Sequence, residues 1–195
     1  MTPRTLLIVA LLIPADPTTW DFEKDAPGGP ALGFQAEAGT WEVVQDGADR
    51  VLAQKAKNDD AMFNVALLPK TSVKDFDLSV RLRAVAGTHD RGGGLVWRAK
   101  DKKNYYVCRY NPLEDNFRVY KVVDGKRTMF ADAKTPGDDK WHTIRVTMTG
   151  TKMTCYLDGK KHLEADDGTF PDAGSIGLWS KADAQTHFDD LTVRE

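Results

Sequence analysis

The chain has 195 residues, a length suited to one domain with a sizeable core. Its formal net charge is −2 and the charged residues are interspersed, which leaves no electrostatic case for a nucleic-acid partner. Five Trp among the aromatics argue against a disordered chain.

The N-terminus reads as an export signal over residues 1–16. Arg4 supplies the positive flank, Leu6 to Ile13 is an unbroken apolar run, Pro14 ends any helix, and Ala15 is small enough for a cleavage site. The run is too short to span a bilayer. The competing reading is a buried N-terminal strand. On the export reading, residues 17–195 are a single mature domain, periplasmic or extracellular, with no membrane span.

Short alternating segments follow, and no stretch has a convincing 3.6-residue apolar period. Ala26-Pro27-Gly28-Gly29-Pro30 is a rigid loop. Phe76 to Arg83 alternates apolar and polar with period two, as a half-buried strand must. Three further strands are predicted over Gly94–Arg98, Tyr105–Asn111 and Phe117–Val123. Lys134 to Lys140 is a polar loop before an alternating strand over Trp141–Met148. Asp46-Gly47, Asp124-Gly125 and Asp158-Gly159 lie between strand-like runs and supply the positive-φ positions of tight hairpins. Many short strands with regular turn signals predict a sandwich or a closed barrel.

The three central strands sort their side chains by alternation. Counting back from the first loop sets Arg98 opposite Tyr105 and Gly94 opposite Arg109, and a register with Arg109 opposite Arg118 would bring the third strand's Arg118 and Tyr120 onto the face of Arg109. One face then holds Leu95, Trp97, Tyr106 and Cys108, and is the better core. The other holds Val96, Arg98, Tyr105, Val107, Arg109, Asn111, Arg118 and Tyr120. Guanidinium groups on a sheet face cost free energy unless hydrated or paired. Flat rings and Arg forks also suit a sugar or carboxylate ligand. A solvated outer face with Arg paired to Asp and Glu is the equal alternative.

Recognisable catalytic signatures are missing. There is no Gly-x-Ser-x-Gly and no nucleophile motif around Cys108 or Cys155. Both Cys sit among apolar strand neighbours and are expected as buried thiols, with a bridge as the alternative in an exported chain. The four His are scattered without zinc spacing. Gly92-Gly93-Gly94 lacks the Lys-Ser/Thr of a phosphate loop and predicts a bulge or a close backbone approach. Glu114 and Asp115 are weak candidates for catalytic carboxylates, since a loop of this composition is more often just a polar turn.

The runs RGGGLVWRAKDKKNYYVCRYNPLEDNFRVYKVVDGKR and WHTIRVTMTGTKMTCYLDGKKHLEADDGTFPDAGSIGLWSKADAQTHFDDLTV resemble bacterial laminin G/concanavalin A-like domains, in particular the group named for 3-keto-disaccharide hydrolase. The openings WDFEKDAPGGPALGF and TWEVVQDG fit the same pattern. The resemblance implies an all-β, two-sheet antiparallel jelly-roll sandwich of concanavalin A-like form, with any ligand on the concave face or its rim. It adds Trp179 and Lys181 to the ligand-binding candidates. It also implies that the first and last strands pair, bringing Glu23 near Asp189 and Asp190. Those three carboxylates are candidates for a structural calcium, against the plainer reading of a charged edge strand. No other cofactor is implied.

Related glucanases carry Glu-x-Asp-x-x-Glu, which is absent here. The expected function is therefore carbohydrate binding. The alternatives are hydrolysis of (3-keto-)disaccharides and an adhesion domain that binds protein.

Overall fold

The computed structural model describes residues 16–195; the expected export signal over residues 1–16 lies, but for Asp16, outside them. The described residues form fifteen strands and no helix, so none is long and apolar enough to cross a membrane. The first six are β1 (Thr18–Trp20), β2 (Gln35–Ala38), β3 (Trp41–Asp46), β4 (Asp49–Gln54), β5 (Phe63–Val73) and β6 (Phe76–Ala86). A central group follows: β7 (Gly93–Asp101), β8 (Asn104–Asn111), β9 (Asn116–Val123) and β10 (Lys126–Lys134). The last five are β11 (Trp141–Thr149), β12 (Lys152–Leu157), β13 (Lys160–Asp166), β14 (Gly174–Lys181) and β15 (Gln185–Arg194).

They make two antiparallel sheets. The eight-stranded sheet runs β13-β12-β11-β6-β15-β4-β3, with β1 also pairing β15. The seven-stranded sheet runs β10-β9-β8-β7-β14-β5-β2. The first and last strands pair as expected, with Trp20 opposite Leu191.

The Asp-Gly hairpins follow from backbone sterics. Asp124-Gly125 and Asp158-Gly159 both have two successive positive φ values, the signature of a type I′ turn. In the β3–β4 hairpin Gly47 takes the positive φ alone and Asp46 pairs with Asp49. The glycine run that opens β7 makes a close approach to β8: a Cβ on Gly92 would strike the Tyr110 carbonyl, and one on Gly94 the Cys108 carbonyl.

The predicted registers of the central meander hold at Gly94–Arg109 and Arg109–Arg118. They fail at Arg98. β7 bulges after Trp97, and Arg98 adopts φ 45°, so it no longer opposes Tyr105. A bulge re-aims the side chain.

Alternation gives the seven-stranded sheet two apolar faces. Leu95, Trp97, Tyr106, Cys108, Tyr110, Phe117 and Val119 face the eight-stranded sheet in the main core. There Trp97 stacks on Tyr106 at 5.8 Å. Cys108 and Cys155 come from opposite sheets into this core, both buried and both free. On the other face Val65, Leu67, Val96, Ala99, Tyr105, Val107, Tyr120, Val122 and Trp179 form a separate buried cluster, with Phe63 against it.

Candidate functional site

The second cluster has no sheet above it, yet its members are buried. Curvature explains this. Arg127 on β10 lies 5.5 Å from the Phe63 ring on β5 and 5.7 Å from the Trp179 ring on β14. Five strand spacings separate β10 from β5, about 24 Å on a flat sheet. The sheet must therefore curl toward this face, which is concave, and Arg127 closes over the aromatic floor. Within the floor Trp179 packs on Phe63 at 5.4 Å and donates its indole N–H to the Tyr105 hydroxyl at 3.1 Å. Burial pushes the Tyr105 phenol well up. Tyr105 and Trp179 are thus floor residues, held by each other.

Charged groups surround the floor. Arg109 is buried, and its Nη2 donates to Glu114 at 2.7 Å and to the Tyr120 hydroxyl at 3.4 Å. Its Nη1 pairs with Asp90 at 3.5 Å. Asp90 is also buried, and Lys181 approaches its other oxygen at 3.3 Å. Burial pushes the Asp90 carboxyl up, and the charges of Arg109 and Lys181 offset this only in part. Asn111 donates to Asp90 at 2.8 Å and accepts from the backbone of Leu113 and Glu114, so it fixes the loop that presents Glu114.

Arg118 donates to Glu114 at 3.1 Å and pairs with Asp132 at 2.9 Å. Burial raises the Glu114 pKa, but hydrogen bonds from Asn116 and Arg109 and the charges of Arg109 and Arg118 bring it down to about 2. Glu114 is thus a fixed carboxylate acceptor. The groups most open to solvent here are Glu114 and Asp132, whose side chains are 42% and 41% exposed, followed by Arg118 at 27%.

Of the predicted ligand-binding residues, Tyr105, Arg109, Asn111, Arg118, Tyr120, Trp179 and Lys181 share this face. Arg98 does not join them. Its buried guanidinium donates to the carbonyls of Lys74, Phe170 and Gly150 at 2.7–3.0 Å and pairs with Asp75 at 3.3 Å. It ties three turns together because the bulge swings it off the face.

Glu114 and Asp115 also separate. Asp115 accepts from the Gly137 N–H at 2.8 Å and anchors the loop after β10. Asp90, Arg127, Phe63 and Asp132 were missed. Arg127 was within reach of the sequence, since the Asp124-Gly125 hairpin sets it opposite Val122 on this face.

Glu23, Asp189 and Asp190 do converge, in a depression shared with Asp21, Asp49 and Arg81. It forms where β15 changes partner from β4 to β1. The residues there do not fit a calcium cage. Arg81 already sets its guanidinium against Asp190 at 3.0 Å and Asp189 at 3.4 Å, and Glu23 accepts from the Arg50 backbone. Among the described residues no group of three or more His, Cys, Asp or Glu has metal-binding geometry.

The two antiparallel sheets and their strand order define a two-sheet jelly-roll sandwich. The carbohydrate binding module CBM66 from Bacillus subtilis superposes with a TM-score of 0.73 at 24% identity, covering 84% of this chain and 96% of the module. The GH43 protein BlXynB from Bacillus licheniformis gives 0.63 at 15% identity, over 89% of this chain and 38% of that one. In sequence, the levanase of Bacillus subtilis (strain 168) is 27% identical over 164 residues, 82% of this chain but only 22% of the levanase. The chain thus spans about a fifth of that relative. It belongs to the 3-keto-alpha-glucoside-1,2-lyase-like domain family, whose model matches residues 18–194.

Proposed function

We propose that the chain binds carbohydrate on the concave face of the seven-stranded sheet, at the rim where Glu114, Arg118, Lys181 and Arg127 surround the aromatic floor. One observation carries the reading: a curled sheet face holds convergent, pre-paired donors and acceptors beside an aromatic cluster. Sugar recognition needs such fixed polar groups, because hydroxyls are bound by donors and acceptors that pay little to reorganise. The likeness to a carbohydrate binding module, and to part of a levanase, supports the same class of ligand.

The test is an array of neutral and acidic oligosaccharides followed by calorimetry. Binding by wild type is expected, with Arg118→Ala weakening it about tenfold, ~1.4 kcal/mol, and leaving the melting temperature within a degree or two. An array on which wild type retains no glycan sinks the proposal.

A second reading has one observation in its favour. Asp90 and Glu114 flank the same guanidinium with their pKa values pushed in opposite directions, the pattern of an acid–base pair. Against it, Asp90 is 3% exposed and both of its oxygens are engaged. Wild type is expected to release no reducing sugar from α- or β-linked disaccharides or their 3-keto forms. Turnover abolished by Asp90→Asn would replace binding with catalysis.

The export reading remains a proposal on its own grounds. Cell fractionation of a C-terminally tagged chain decides it, and retention in the cytoplasm at full length refutes it.

A further inference from the structure

The charges on the concave face do not cancel. The described residues place four bases there, Arg109, Arg118, Arg127 and Lys181, against three acids, Asp90, Glu114 and Asp132. Arg109, Arg118 and Lys181 each lie within 4 Å of a carboxylate. Arg127 has no ion pair among the described residues. Its Nη1 is enclosed and donates no hydrogen bond. Arg109 Nε is likewise enclosed without an acceptor.

What Arg127 does have is rings. Its guanidinium carbon lies 4.4 Å from the Tyr120 centroid, and the Phe63 and Trp179 rings are also within 6 Å. Cation–π attraction offsets part of the desolvation of a guanidinium. It does not supply an in-plane acceptor for the enclosed Nη1, and enclosing a charged N–H without one costs free energy even where the rest of the side chain is half-buried. Arg109 lies against the same Tyr120 ring at 5.9 Å, so two cations share one aromatic. Burial and the like charge of Arg109 push the Arg127 pKa down.

A sugar hydroxyl would satisfy one N–H and leave the excess positive charge. A carboxylate would satisfy both requirements, because its two oxygens match the planar guanidinium fork. We infer that the site takes a glycan ending in a uronate, with Arg127 as the partner of the sugar carboxylate. The inference rests on the glycan-binding reading above and narrows it.

Methyl esterification separates charge from sugar identity. The experiment titrates the full chain with di- to tetrasaccharides of galacturonate, glucuronate and mannuronate, each beside its methyl ester, and with neutral oligosaccharides. At least one acid is expected to bind wild type about tenfold or more tighter than its ester in low salt. That preference should shrink at about 0.5 M salt, where exposed charges are screened.

Arg127→Met keeps the stem over the rings and should bring acid and ester to equal affinity. Should that variant melt early, Arg127→Lys keeps the charge without the fork and should show a preference below wild type. Equal affinity of every acid and its ester for wild type overturns the inference and leaves glycan binding standing. So does an acid preference that Arg127→Met and Arg127→Lys both keep in full. Binding of no saccharide in the panel overturns both readings.

Discussion

The outer faces of the two sheets carry similar residues and use them differently. On the eight-stranded sheet Arg145 lies over Tyr156 at 4.8 Å, and Arg81 and Arg83 lie over Trp141 at 5.0 and 5.4 Å. Their side chains stay 32–41% exposed. On the seven-stranded sheet Arg109 and Arg127 also lie over aromatics, but curvature brings distant strands together, burying Arg109 and leaving Arg127 half-buried. Arg109 falls to 1% exposure. The same residue types thus make a solvated face on one sheet and, on the other, a charged network with a dry centre at Arg109 and Asp90 and an open rim at Glu114, Arg118 and Asp132. Geometry, not composition, decides which face can hold a ligand.

The largest expected effect breaks the dry network. Arg109→Met removes the guanidinium shared by Asp90 and Glu114 and leaves Asp90 buried among fewer charges. Breaking a buried pair on one side typically costs about 3–5 kcal/mol. Urea denaturation should show a loss of that order with an unchanged m-value. A loss below about 1 kcal/mol would mean that water reaches Arg109, and the contrast between the faces would collapse.

Next in size is a charge that lacks an adequate partner at the seam of β15. Burial first, then the adjacent Asp190 charge, raises the Asp189 pKa to about 6 despite Arg81. The folded state therefore holds a proton that the unfolded chain has lost above its ordinary value of 3.8. Stability should fall as pH rises through the window from about 4 to about 6, by roughly 2–3 kcal/mol. Asp189→Asn should flatten that part of the profile, measured as ΔG of unfolding against pH. An unaltered profile would show that Arg81 fully compensates Asp189. Calcium is expected to leave the melting midpoint unchanged; a rise of several degrees would show a cation displacing Arg81.

The sequence made the alternation legible because period two survives any fold-level detail. Strand ends, three Asp-Gly hairpins and the two faces of β8 and β9 follow from it. It could not reveal that Arg98 leaves the face. A bulge is a one-residue irregularity with no side-chain signal, and it changes which side a residue occupies.

Asp90 was missed for a different reason. It lies just before the glycine run and reaches Arg109 only because the chain turns back through Gly92 at φ 97°. Arg127 was countable from its hairpin, but its meeting with Phe63 depends on curvature summed over five strand pairs, which no local pattern encodes. The pairing of β1 with β15 came from the family resemblance, since partners so far apart in sequence leave no local trace.

The smallest expected effect tests the wet side of the comparison. Arg145 Nε donates to Asp77 Oδ1 at 2.7 Å, and the same guanidinium lies over the Tyr156 ring. Side-chain exposures of 41% and 39% leave both groups in contact with water. Donating hydrogen bonds to the Asp77 carboxylate raises the Arg145 pKa, but a guanidinium is already charged throughout the working range, so the shift has no stability consequence near neutrality. A double-mutant cycle with Arg145→Met and Asp77→Asn should give a coupling of about 0.2–1 kcal/mol that weakens with added salt. A coupling as large as the loss in Arg109→Met would mean that exposure does not set the strength of these pairs. The difference between the two faces would then have to come from hydrogen-bond geometry rather than from the exclusion of water.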